Sequence, residues 1–324
     1  MDNERAQSER AQSAGPILRG VQPGASRSRR RLLSGLGALA SSLGLGTAAA
    51  APEYVEHELD VPGEKLARRC LLLVPNRAGV RRLLVLFHGL AETSSEAVGI
   101  RAWADRYGLV AATERLANPP VTRNMTAPVL LTDDRLAELN AGLAGEPFHG
   151  LAVACPYTPN VFRQPSPPTA LDRYTDWLVG GVLPEVRRLV SLPANGNTIG
   201  VDGVSLGGYV SLEVFLRRPD AFGAVGALQA AVGENLSDAY ALRFEQAFAR
   251  AGTRPLRIAT SAWDPERPSS ERLVKKLRAR GLEVTLASSP GGHDQGFLRE
   301  SGSLELLYYY DRILPRFRRH AGAG

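Results

Sequence analysis

The chain has 324 residues, of which 44% are hydrophobic and 22% charged, a globular balance that excludes disorder as the default state. Its formal charge of +6 is concentrated at the start, where residues 1–50 carry seven arginines against Asp2, Glu4 and Glu9. The +2 that remains is a near-neutral mixture, which excludes the concentrated basic face of a nucleic-acid binder.

Residues 1–50 are expected to be an address rather than structure. A polar stretch ending in "SRSRRRLL" is followed by a Gly-rich, moderately apolar run from Leu32 to Gly46 and then by "TAAAAPEY". That is the layout of a signal peptide, and Arg29 and Arg30 before a weak apolar run point to twin-arginine export, with removal near Ala50. A stable membrane anchor is disfavoured, because spanning a bilayer takes roughly 20 strongly apolar residues and this run is interrupted by Gly and Ser.

From there the chain reads as strands and helices in alternation. "EYVEHELDV" and "ARRCLLLVP" have strand lengths, and "RRLLVLFHGL" holds a continuous apolar run, Leu83 to Phe87, suited to a strand buried on both faces. "SSEAVGIRAWADRYG" has helical spacing with Ser94 or Ser95 as its cap, and "GLVAAT" fits either a short strand or a helix end. Residues 117–147 form a connection too long for a compact domain, an inserted loop or small cap with a helical "DDRLAELNAGLAG" inside it. Further strands are expected in "HGLAVACPYTPN", "NTIGVDGVS", "FGAVGALQA", "PLRIATSA" and "LEVTLASS". Between and after them lie helices, "TALDRYTDWLVGGVLPEVRRLV" with Pro184 inside, "LGGYVSLEVFLRRPD", a serine-capped "SSERLVKKLRARG" and "SLELLYYYDRILPRFRR". This alternation implies βαβ units in one α/β domain over residues 52–320, with a mainly parallel twisted sheet and helices on both faces.

Chemistry concentrates in three places. Gly203-Val204-Ser205-Leu206-Gly207 matches G-x-S-x-G on a strand-to-helix turn, where a serine can act as nucleophile if a base, an orienting acid and oxyanion donors converge on it. With the chain order serine, acid, histidine, His57, His88 and His149 come too early, and His320 sits in a polar tail. His293, in the glycine-rich loop "SSPGGHDQGF" after a strand, is the candidate base. Asp264, 59 residues after Ser205 and 29 before His293, is the candidate acid, with Glu266 as its rival and Asp294 too near His293 to fold back onto the ring. The backbone N–H groups of Leu206 and Leu90 are the candidate oxyanion donors, and His88 is expected to shape the loop before Leu90.

"LLVLFHGL", "IGVDGVSLGGYVSLEVFLRRPDAFGAV" and "SPGGHDQGF", in matching order over roughly residues 65–315, resemble the α/β-hydrolases. Within that superfamily they are similar to the group that includes esterase D, feruloyl and acetylxylan esterases, polyhydroxybutyrate depolymerases and mycolyltransferases. Two features depart from the group, Gln295 where an aromatic is common and the 117–147 insertion. The export signal also makes cytosolic S-formylglutathione hydrolases a poor match. The resemblance implies an exported serine esterase acting on a small-molecule or polymer-linked ester through an acyl-enzyme, with no metal or organic cofactor. An acyltransferase, a serine peptidase or a non-catalytic binding protein would share the scaffold. The implied strand order sets Cys70 beside Cys155, so a disulfide is conceivable, although two cysteines without metal spacing read first as buried free thiols.

Overall fold

The computed structural model describes residues 54–76, 79–123 and 130–315; the export segment at 1–50 and His320 lie outside them. Eight strands form one sheet: β1 (Tyr54–Asp60), β2 (Arg69–Pro75), β3 (Leu83–Phe87), β4 (Ala152–Pro156), β5 (Ile199–Gly203), β6 (Ala224–Leu228), β7 (Leu256–Trp263) and β8 (Thr285–Gly292). Their spatial order is β1-β2-β4-β3-β5-β6-β7-β8, antiparallel from β1 to β4 and parallel from β4 through β8. The parallel part therefore brings the C-terminal ends of β3, β5, β6, β7 and β8 to one edge, where ligand crevices form in open sheets of this kind.

Alternation along the strands builds two cores. In β3, Leu83, Val85 and Phe87 pack with Tyr174, Val210, Phe215 and Phe244 on one face. Leu84 and Leu86 pack with Trp103, Leu116, Leu139 and Tyr310 on the other. Five consecutive apolar residues thus make one strand because both faces are covered, with every one of them fully buried.

The helices refine the reading of the sequence. "GLVAAT" belongs to the helix Leu109–Ala117, and Ser95, rather than Ser94, caps the helix Glu96–Gly99 by accepting the N–H of Val98. Pro184 does not end its helix. A wide π-type turn over Leu178–Val182 joins Pro167–Trp177 to Leu183–Leu189, which relieves the hydrogen bond a proline cannot make. The serine cap expected for "SSERLVKKLRARG" is not formed: that helix starts earlier, at Arg267, with Pro268 in its first turn where a missing N–H costs nothing.

Within the inserted segment, the helix Asp133–Gly145 lies against the C-terminal helix Ser303–Ile313. Leu139 and Leu143 enter the core, Arg135 grips Glu305 at 2.6 and 2.7 Å, and Arg312 donates to the carbonyls of Gly142 and Glu146. No helix among the described residues is long and apolar enough to cross a membrane.

Strand register settles the cysteine pair. Leu71 faces Cys155 while Cys70 faces Pro156, so the two thiols stand one residue out of step. Side chains one residue apart point to opposite faces, and accordingly Cys70 belongs to one core and Cys155 to the other. Both are free and buried, and burial pushes both thiols well above their ordinary range. Intact mass of the denatured, alkylated protein is expected to show two modified thiols without reductant; a gain of alkylation only after reduction would refute this register.

Candidate active site

The loop after β5 makes a turn that few residues tolerate. Ser205 sits at φ 58° and ψ −117°, a left-handed conformation that costs a non-glycine residue on the order of 1–3 kcal/mol. Three hydrogen bonds hold it there. Its N–H donates to the Leu228 carbonyl at 2.9 Å, and its own carbonyl accepts from Tyr209 at 3.1 Å and Ala231 at 3.2 Å. The flanking glycines are required by space: a Cβ on Gly203 would stand 2.4 Å from the Gly207 carbonyl oxygen, and one on Gly207 would stand 2.3 Å from that of Phe87.

Asp264 follows β7 and His293 follows β8, parallel neighbours that pair in register from Arg257 and Thr285 to Ser261 and Ser289 and, past a one-residue shift, again at Trp263 and Gly292. The two side chains meet with His293 Nδ1 2.8 Å from Asp264 Oδ1. Asp264 also accepts the Thr260 hydroxyl at 2.7 Å and the Glu266 N–H at 3.0 Å. Burial works against its charge, but the hydrogen bonds from His293, Thr260 and Glu266 outweigh it and hold the carboxyl below the ordinary carboxylate value. An ionised Asp264 assigns the proton to Nδ1 and leaves Nε2 as a base. The rival Glu266 contributes only its backbone to this pair, and Asp294 caps the next turn by accepting the Phe297 N–H at 2.9 Å.

Ser205 and His293 line one cavity of about 380 Å³ together with Gly89, Leu90, Glu92, Tyr107, Gln229 and Gln295. Among the described residues, Ser205 Oγ makes no hydrogen bond to His293, and neither the Leu90 nor the Leu206 amide donates to a protein acceptor. Both amides open a turn of helix, Leu90 in Leu90–Glu92 and Leu206 in Leu206–Arg217, where N–H groups have no partner within the helix.

The loop bearing Leu90 is fixed by residues that the sequence reading passed over. Tyr107 Oη accepts the Gly89 N–H at 3.2 Å and donates to the buried Glu92 carboxylate. Glu92 in turn accepts from Gln295 at 3.4 Å, so the polar residue that replaces an aromatic closes this network. His88 shapes the loop as expected. Its Nε2 accepts the Thr158 N–H at 2.9 Å, which makes Nδ1 the donor to the Gly89 carbonyl, also at 2.9 Å. The stretch "PYTPN" thereby acts as a clamp and does not line the cavity. Gln229, at φ 49°, was also missed; its Nε2 donates to Gly292 O at 2.8 Å and fixes the residue before His293. Nothing in local sequence marks Tyr107 or Gln229, because their partners are distant in the chain.

Strand order, the strained strand-to-helix turn at Ser205 and the helices on both faces give this chain the α/β-hydrolase fold. Solved structures agree. A ferulic acid esterase is similar at 16% identity and a TM-score of 0.59, covering 82% of this chain and 100% of its own. The fluorophosphonate-binding serine hydrolase F of Staphylococcus aureus is similar at 14% and 0.56, covering 81% and 99%. An S-formylglutathione hydrolase of the same organism is similar at 16% and 0.52, covering 83% and 100%. At these identities the likeness is one of fold, and no protein-family model or curated protein sequence matches the chain.

Two outcomes follow from this geometry. Gly207→Ala should lower unfolding free energy by about 1–3 kcal/mol in urea titrations, since backbone must move to admit the methyl group. Burial lowers His88 from 6.5 to about 4, so the unfolded chain binds a proton in that window that the folded chain refuses. Stability is then fully present above pH 6.5 and falls toward pH 4, by up to about 1.4 kcal/mol per pH unit. His88→Gln should flatten that slope in pH-resolved denaturation; an unchanged slope would assign it elsewhere.

Proposed function

We propose that the protein is an exported serine hydrolase that cleaves a carboxylic ester through Ser205, His293 and Asp264. The observation that carries the reading is the 2.8 Å contact of His293 Nδ1 with a buried, low-pKa Asp264, in a cavity shared with a serine on a strained turn. Ester hydrolase names among the fold's solved examples support it.

In the first half-reaction Ser205 Oγ attacks the acyl carbon as His293 Nε2 takes its proton, and Asp264 stabilises the resulting imidazolium. The carbonyl oxygen gains negative charge and is received by the Leu90 and Leu206 amides, donors worth about 2.7–4 kcal/mol each at the transition state. Collapse breaks the ester C–O bond, and the alcohol leaves with the proton from His293. Water then attacks the acyl-enzyme by the same route, releasing the acid and restoring Ser205. None of these steps draws on a metal or organic cofactor. The Ser205–His293 hydrogen bond closes as substrate enters, as is common when a serine hydrolase passes from apo form to complex.

Turnover of a panel of aliphatic and aromatic acyl esters tests this. Ser205→Ala and His293→Ala should each reduce kcat about a million-fold, and Asp264→Asn about 10,000-fold, with folding preserved. Near-normal turnover in His293→Ala would place the base elsewhere.

Export is the second part of the proposal and rests on residues 1–50 alone. Expressed with its full N-terminus in a host with twin-arginine export, the mature protein should begin near Ala50. An intact Met1 on protein recovered outside the cytoplasm would contradict it.

A further inference from the structure

The described residues enclose a second cavity of about 540 Å³, larger than the one with Ser205 and sharing no lining residue with it. It lies between β7 and β8 on one side and the helices Asp133–Gly145 and Ser303–Ile313 on the other. The body of its wall is apolar, with Leu228, Ala259, Ala287 and Phe297 contributing. Apart from Arg257, its charged lining residues are Arg135, which pairs with Glu305 and Glu138, Arg312, which pairs with Glu146, and Asp134.

Arg257 differs from these in its burial. Its side chain is only 3% exposed and lines this cavity. Nη1 reaches Asp202 at 3.3 Å and the guanidinium lies over the Tyr309 ring at 5.6 Å, but Nε and Nη2 donate to no acceptor among the described residues. Asp202 also receives the Gly203 N–H at 2.7 Å and the Tyr310 hydroxyl at 3.1 Å. Nε and Nη2 keep access to the cavity, and the edge they form matches a carboxylate in bidentate geometry.

We propose that this cavity is a ligand site, separate from the ester site, for a small molecule with an apolar body and a carboxylate head held by Arg257. Its volume is in the range of sites for small organic ligands. The helix of the 117–147 insertion supplies one wall, which gives that segment a role away from Ser205.

Calorimetric titration of the Ser205→Ala protein with octanoate and with 1-octanol tests the assignment without acyl chemistry at the ester site. Octanoate should bind, and roughly tenfold tighter than the alcohol. Arg257→Gln should abolish that preference. Ala287→Phe, which fills the cavity and leaves Arg257 and Asp202 in place, should abolish octanoate binding while melting cooperatively. Absence of octanoate binding, equal affinity for acid and alcohol, or undiminished binding in Ala287→Phe would overturn the proposal.

Discussion

Everything at the candidate site depends on how closely the turn after β5 approaches the end of β3. With hydrogen in place of side chains at Gly203 and Gly207, the first turn of the helix Leu206–Arg217 lies directly on the Phe87 and His88 carbonyls. That contact fixes the height of Ser205 above the sheet and sets its distance from the Gly89–Leu90 loop. The left-handed strain at Ser205 persists because the Leu228 carbonyl in β6 receives its N–H and the Tyr209 and Ala231 N–H groups donate to its own carbonyl. Stability supplied by a two-sided core is used to hold one residue where its hydroxyl has no local partner.

A second layer of constraint is electrostatic and mostly buried. Asp264 keeps its charge through donated hydrogen bonds, and that charge decides the tautomer of His293. His88 shows the opposite treatment, a histidine held neutral by burial and by an N–H pointed at Nε2. The two histidines near Ser205 thus have roles separated by environment: one can exchange protons and the other locks a loop.

Much of this was legible in the sequence because it is local. The apolar run Leu83–Phe87, the glycine pair around Ser205 and the strand-terminal loops of Asp264 and His293 are short-range patterns, and a mainly parallel sheet follows from βα alternation. Contacts that close over a distance were not legible. Tyr107 and Glu92, Gln229 and Gly292, and His88 and Thr158 are joined only by the fold. The π-type turn just before Pro184 and the early start of the helix at Arg267 arise from packing that overrides local breaker and cap signals. The disulfide question needed register, since neighbouring strands place Cys70 and Cys155 close in sequence of the ladder but on opposite faces.

The central claim is that Ser205, and no other residue, is made nucleophilic by this arrangement. Reaction of the folded mature protein with a fluorophosphonate, followed by peptide mass spectrometry, addresses it directly. The account predicts one adduct, on Ser205, that disappears in His293→Ala. A folded protein that leaves Ser205 unmodified, or carries the adduct on another serine, would contradict it.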